Sequence, residues 1–188
     1  MKAFILCGMP AAGKTVTARA IAEKLGLKMI GGGDVLKEMA KDRGYKVTGE
    51  GWWDTPDGIR FLRERETNPE FDKEADRRMA AKIEKGDIVV TSYTMPWLTK
   101  QGVKCWLEAS QETRAKRMAE RDGMEVSKAL EVVKIRDREN FELYKKVYGI
   151  ELGRDMKPFN IIIDVNTITA EEAAEEIIRR AKEYESSG

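Results

Sequence analysis

The segment that most constrains this chain is Gly8-Met9-Pro10-Ala11-Ala12-Gly13-Lys14-Thr15, which fits the spacing G-x-x-x-x-G-K-[ST]. Ahead of it lies a short apolar run, Ala3 to Cys7. Behind it lies an amphipathic run with Val16, Ala20 and Ile21 at helical spacing. Strand, glycine-bounded loop and helix, in that order, predict a phosphate-binding loop, the P-loop. Its backbone N–H groups point inward around phosphate oxygens, and the helix N-terminus adds partial positive charge. Lys14 then reaches the β- and γ-phosphates of ATP, and the Thr15 hydroxyl holds Mg²⁺. The expected ATP contacts are therefore Gly8, Met9, Pro10, Ala11, Ala12, Gly13, Lys14, Thr15 and Val16. Gly8 and Gly13 supply conformations and close approaches that a Cβ would obstruct. Small loops of this kind often carry another glycine where Ala11 and Ala12 stand.

A chain of 188 residues can bury one good core, so a single α/β domain over residues 1–188 is expected. The net charge of +1 gives no bulk electrostatic case for nucleic acid. Charged residues make up 36% of the chain with both signs interspersed, which fits a thermophile surface laced with ion pairs. Histidine is absent, so no imidazole can act as general base or metal ligand. Cys7 and Cys105 each lie in an apolar run, which suits buried thiols in a reducing cytoplasm. The apolar start is too short, and too interrupted by Gly8 and Pro10, for a signal peptide. No segment approaches the length of a transmembrane helix. The expectation is a cytoplasmic protein without nucleic-acid or membrane partners, monomeric, with a dimer as the alternative.

Strands and helices alternate along the chain, predicting a five-stranded parallel sheet with helices on both faces. After the first strand and helix, residues 28–30 form a short strand, and Asp34 caps a helix reaching about Arg43. Residues 44–51 read as loop. Thr55 and Pro56 open a helix, and Asn68-Pro69-Glu70 repeats that start signal. Residues 87–91, 103–107 and 160–164 are the remaining strands. Ser110 caps a helix to about Arg121, Gly123 breaks it, and a charged helix runs over residues 127–148. A capping box, Thr169 with Glu172, opens the last helix, and the tail from Glu185 frays.

Several residues admit two accounts. Arg114, Arg117 and Arg121 share one helix face, which a lid closing over phosphates needs. The alternative is a solvated face paired with Glu120 and Asp122. Arg136 belongs to the same argument, with Asn140 and Tyr144 on its face. Asp72 and Asp76 lie four apart and could accept hydrogen bonds from an acceptor, or pair with Lys73, Arg77 or Lys82. Asp34 lies at a strand end where ligands of parallel sheets bind, and equally fits an N-cap. Trp52, Trp53, Tyr93 and Trp97 could stack on a base or pin loops to the core.

The whole pattern resembles the small P-loop nucleoside monophosphate kinases, and in particular the archaeal cytidylate kinase family. The resemblance rests on Phe71-Asp72-Lys73-Glu74-Ala75-Asp76-Arg77-Arg78, on residues 103–123 with Arg114, Arg117 and Arg121, and on Ile135-Arg136-Asp137-Arg138 through Tyr144 to Tyr148-Gly149-Ile150. It implies transfer of the ATP γ-phosphoryl group to a nucleoside monophosphate, CMP or dCMP. It makes residues 34–86 the acceptor-binding insert and residues 110–148 the lid and following helix. Lys14, Arg117, Arg121 and Arg136 become the catalytic charges, and Arg114 an ATP contact. The chain departs from the family in its longer Tyr45 to Glu66 segment. It also departs after the third strand, where Thr91-Ser92-Tyr93 replaces an acidic residue, Gly and Arg. A substitute arginine for the acceptor phosphate is then required, and Arg60, Arg63 or Arg77 are the candidates. Asp34, Arg60, Asp72, Asp76, Arg77 and Tyr93 form the expected acceptor site. A kinase of another small acceptor, either a different nucleotide or a small alcohol, and a nucleotide-dependent switch are the rival readings.

Overall fold

The structure is a computed structural model that describes residues 3–68 and 70–186. Five parallel strands, β1 (Ala3–Cys7), β2 (Lys28–Gly31), β3 (Ile88–Thr91), β4 (Val103–Glu108) and β5 (Ile161–Asp164), lie in the order β2-β3-β1-β4-β5. Every side chain of central β1 is buried, the pattern of a parallel strand covered on both faces. On one face α1 (Lys14–Leu25) and α8 (Ala170–Ser186) pack on Phe4, Leu6, Cys105, Leu107, Ile161 and Ile163. On the other face α2 (Gly32–Asp42), α3 (Pro56–Thr67) and α4 (Glu70–Lys85) close over Ile5, Ile30 and Val90. The pair α6 (Gln111–Asp122) and α7 (Val126–Tyr148) turns at Gly123, φ +65, around Ala115, Met118, Ala129 and Val133. Cys7 and Trp106 are enclosed with Ile150 and Leu152.

The caps act where the sequence places them. The Thr55 hydroxyl accepts from the Gly58 N–H (3.2 Å), and Ser110 accepts from the Thr113 N–H (3.1 Å). Thr169 and Glu172 exchange side-chain-to-backbone bonds. Three expectations are corrected. Asp34 is not the N-cap of α2; it is the third helical residue and accepts the Gly31 N–H at 2.7 Å. Asp87 is not in β3, because its φ of +51 makes it a turn residue ahead of the strand. The loop after α2 ends earlier than expected, in a 3₁₀ turn over Glu50–Asp54 that buries Trp52 completely. A short helix, α5 (Met95–Leu98), was not expected; its four residues are too few for a periodic signal. The Asn68-Pro69 start signal and the frayed tail fall partly on Pro69, Ser187 and Gly188, outside the described residues.

Candidate active site

The P-loop leaves β1 at Gly8, φ +155, where a Cβ would lie 2.7 Å from the Leu107 carbonyl oxygen. Backbone proximity therefore demands glycine there. Gly13 has space but holds φ +97, so conformation demands it. Ala11 stands at φ +63 without being glycine, a strain of about 1 kcal/mol. No side chain caps α1. Its first-turn N–H groups thus lack internal partners, and with the helix dipole they form a cradle fit for phosphate oxygens. Thr15 is exposed at the same opening.

Lys14 is held at the junction of two openings. Its Nζ donates to the carbonyls of Gly8 (2.7 Å) and Met9 (2.9 Å) and to the Tyr93 hydroxyl (3.4 Å). Burial pushes its pKa down to about 8, and the charges of Arg114 and Arg136 push the same way. Lys14 lines an outer cleft of about 610 Å³ with Ala11, Gly13, Thr15, Val16, Arg117 and Arg121. It also lines an inner cleft of about 300 Å³.

The inner cleft is assembled from distant elements. Arg65 of α3 donates from Nε to Asp72 Oδ1 of α4 at 2.8 Å. Asp76, one turn on, accepts from the Thr94 hydroxyl (2.8 Å) and the Tyr148 hydroxyl (2.7 Å). Burial raises the Asp76 pKa, and the two hydroxyl bonds oppose that shift. Tyr93, Tyr144 and Tyr148 stand in a row with ring centres 5.4 and 6.2 Å apart. Burial pushes the Tyr93 phenol up to about 12 and moves Tyr144 and Tyr148 the same way.

The expected residues divide around these clefts. Asp72, Asp76 and Tyr93 line the inner cleft; Asp72 is ion-paired to Arg65 rather than to Lys73, Arg77 or Lys82, and Asp76 accepts from two hydroxyls instead. Asp34 lies outside that lining, and Arg77 is exposed and outside it too. Arg60 too lies outside that lining. It pairs with Asp57 at 3.1 Å and lies over the Tyr45 ring, leaving Arg65 as the arginine of α3 that enters the cleft. Trp52 is core and Trp53 is half-buried beside Lys37.

The three arginines of α6 do not act as one free face. Arg114 is 3% exposed and fully engaged. It makes a two-pronged pair with Asp137 (2.7 and 2.6 Å) and donates to the carbonyls of Ala109 (3.1 Å) and Pro10 (3.2 Å). It braces the P-loop backbone from behind. Arg117 donates to the carbonyls of Ala12 (3.2 Å) and Val165. Arg121 is exposed and pairs with Asp122 at 2.6 Å. Arg136 is exposed and has no ion pair among the described residues. Asp137 was missed. Its signal was a carboxylate at the third position of the stripe Ala129, Val133, Asp137, whose first two members are buried.

The sequence pattern of the Cytidylate kinase-like family matches residues 6–167. The chain belongs to that family. A cytidylate kinase of Pyrobaculum aerophilum is 33% identical over 175 residues, covering 92% of this chain and 89% of the relative. One from Pyrococcus horikoshii is 30% identical over 160 residues, covering 85% and 77%. Among solved structures, the chain is similar to shikimate kinase from Acinetobacter baumannii, with TM-score 0.57, 17% identity and coverage of 98% and 94%. It is likewise similar to a gluconokinase from Sinorhizobium meliloti, with TM-score 0.55, 16% identity and coverage of 97% and 93%. At those identities the likeness is one of P-loop kinase fold. Membership of the cytidylate kinase-like family makes this chain a phosphotransferase, and two clefts that share Lys14 suit such a reaction.

Proposed function

We propose that this chain transfers the γ-phosphoryl group of ATP to CMP or dCMP, with ATP in the outer cleft and the acceptor in the inner one. The observation that supports the reading is the position of Lys14, a residue that lines both clefts and whose ammonium lies between the P-loop carbonyls of Gly8 and Met9 and the Tyr93 hydroxyl. An acceptor phosphate and a γ-phosphoryl group brought there lie on either side of one positive charge. Catalysis is then positioning and neutralisation of charge spreading over the transferred oxygens.

The residues have separable tasks. The α1 N-terminus and the backbone of residues 8–16 hold the donor phosphates. Arg117, beside Ala12 and Val165, borders the groove toward the donor base. Arg136, exposed and without an ion pair among the described residues, can swing toward the transferred group, and Arg121 can do so by giving up its surface pair with Asp122. Arg65 takes the acceptor phosphate, exchanging Asp72 for it. It thereby replaces the arginine that the family places after β3. Asp76, already oriented by Thr94 and Tyr148, has lone pairs left for the exocyclic amino group of cytosine. Uracil presents a carbonyl there and is disfavoured. Thr15, exposed in the lining of the outer cleft, would hold Mg²⁺ together with the nucleotide phosphates, and the ion would supply charge neutralisation when bound. Among the described residues no cluster of three or more carboxylates or thiols could hold a metal without a substrate.

No helix among the described residues is long and apolar enough to cross a membrane. With two free buried thiols, the cytoplasm is the proposed compartment, and a monomer the proposed state. An acceptor panel with ATP and Mg²⁺, followed by product identification, tests the function. CDP from CMP is the expected product; turnover of a small alcohol with none of any nucleotide would replace this reading.

A further inference from the structure

A third cleft of about 560 Å³ lies apart from both sites. It shares no lining residue with the inner or the outer cleft. Its floor includes Met9, and its walls are the start of α6, one face of α7, and the loop at Gly153 and Arg154. The α7 face carries Lys134, Asp137, Arg138 and Phe141 at helical spacing. Gly153 closes the floor, with its Cβ position 3.5 Å from the Met9 sulfur.

The charge in this cleft is lopsided. Lys134 and Arg138 are exposed and have no ion pair among the described residues. Arg154 is held with its guanidinium 4.2 Å from the centre of the Phe141 ring. On the acidic side, Glu108 accepts the Trp106 indole N–H, and Asp137 is bound by Arg114 and Gln111. Arg114 and Asp137 cancel, and Glu108 offsets one of the three remaining cations. In the inner cleft, by contrast, Lys14 and Arg65 face Asp72 and Asp76 and the charges balance. Three cations lining one cleft, two of them guanidinium forks, match the oxygens of a phosphate chain. The volume lies in the range of small-molecule sites.

We propose that this third cleft binds a polyphosphate anion, such as the phosphate chain of a nucleotide, separately from donor and acceptor. Its inner wall is the Arg114–Asp137 pair that also holds the Pro10 carbonyl, so an occupant sits against the support of the P-loop.

Titration calorimetry with inorganic tripolyphosphate at low ionic strength tests it on three proteins: the unaltered chain, Lys14→Ala, and the double variant Lys134→Ala/Arg138→Ala. Both α7 side chains are exposed, so the double variant should keep its fold, and its circular dichroism melt checks that. The unaltered chain should titrate as two sites. Lys14→Ala should keep the third-cleft site, and the double variant should lose it, with at least about a tenfold rise in its Kd. A double variant that titrates like the unaltered chain overturns the proposal. So does a Lys14→Ala protein that binds no tripolyphosphate.

Discussion

The outer and inner clefts share Lys14 and are built in opposite ways. The outer one is a backbone structure. Eight consecutive residues set its shape, Leu107 leaves no room for a side chain at Gly8, and Arg114 and Arg117 tie the Pro10 and Ala12 carbonyls to α6. The inner one is a side-chain structure, drawing Arg65, Asp72, Asp76, Thr94 and Tyr148 from α3, α4, α7 and the segment after β3. Its bonds are between groups that a ligand can exchange. On the assignment proposed above, the donor side is fixed before substrate arrives, whereas the acceptor side holds its charges in pairs that a phosphate or an amino group can break into. Pre-set donors cost no reorganisation during the reaction; exchangeable ones give selectivity among acceptors.

The largest expected effect falls where the two regions meet. Lys14→Ala should lower turnover by about 100-fold or more, the scale of losing a charge-stabilising donor. The melting temperature should hold, because Arg114 and Arg117 tie the Pro10 and Ala12 carbonyls to α6 independently of the ammonium. Turnover near that of the unaltered chain would separate the clefts again.

The next variant tests the rigidity of the donor side. Asp137→Ala strips the partner from a guanidinium that is 3% exposed, which should cost about 3–5 kcal/mol of stability. Arg121→Ala, which loses only a surface pair with Asp122, should change stability by less than about 1 kcal/mol. Denaturant unfolding of both variants measures the difference. Equal, small losses would mean that α6 does not brace the loop.

These two regions also explain how far the sequence could be read. The fold was legible because most strands are apolar runs and three helices have local start signals, at Thr55, Ser110 and Thr169. The donor loop was legible because its chemistry lies in consecutive residues. The acceptor cleft was only partly so. Asp72, Asp76 and Tyr93, proposed from the sequence, do line one cleft, but which arginine of α3 joins them depends on helix phase against α4. Arg60 turned out to stack on Tyr45, and Arg65 faces Asp72. The pairing of Arg114 with Asp137 spans the α6–α7 turn, so no local spacing reveals it. A burial stripe that ends in a carboxylate was the one hint.

The acceptor side should answer more selectively. Arg65→Ala should raise the KM for CMP by about 10- to 100-fold, the range for losing a hydrogen bond to a charged group, and leave the KM for ATP within about twofold. Steady-state kinetics with each substrate varied in turn checks this. A matching rise in the KM for ATP would place Arg65 on the donor side.

A smaller effect is a proton. The Lys14 pKa is held near 8 by burial, below its usual value. Polyphosphate beside the ammonium favours the charged form and raises that pKa. Nucleotide binding should therefore take up about half a proton at pH 8 and almost none at pH 6, where Lys14 is already charged. Calorimetry in buffers of different ionisation enthalpy measures the uptake, and Lys14→Ala should abolish it. Equal uptake in that variant would assign the proton to another group.

The division of labour between the clefts is tested most directly by amide hydrogen exchange with each ligand alone. A non-hydrolysable ATP analogue should protect residues 8–17 and 114–121. CMP should protect residues 65–76, 91–94 and 143–148 and leave the loop ahead of Lys14 unchanged. If CMP instead protected residues 8–17, or left residues 65–76 and 143–148 untouched while still being phosphorylated, the account of two clefts meeting at Lys14 would be contradicted.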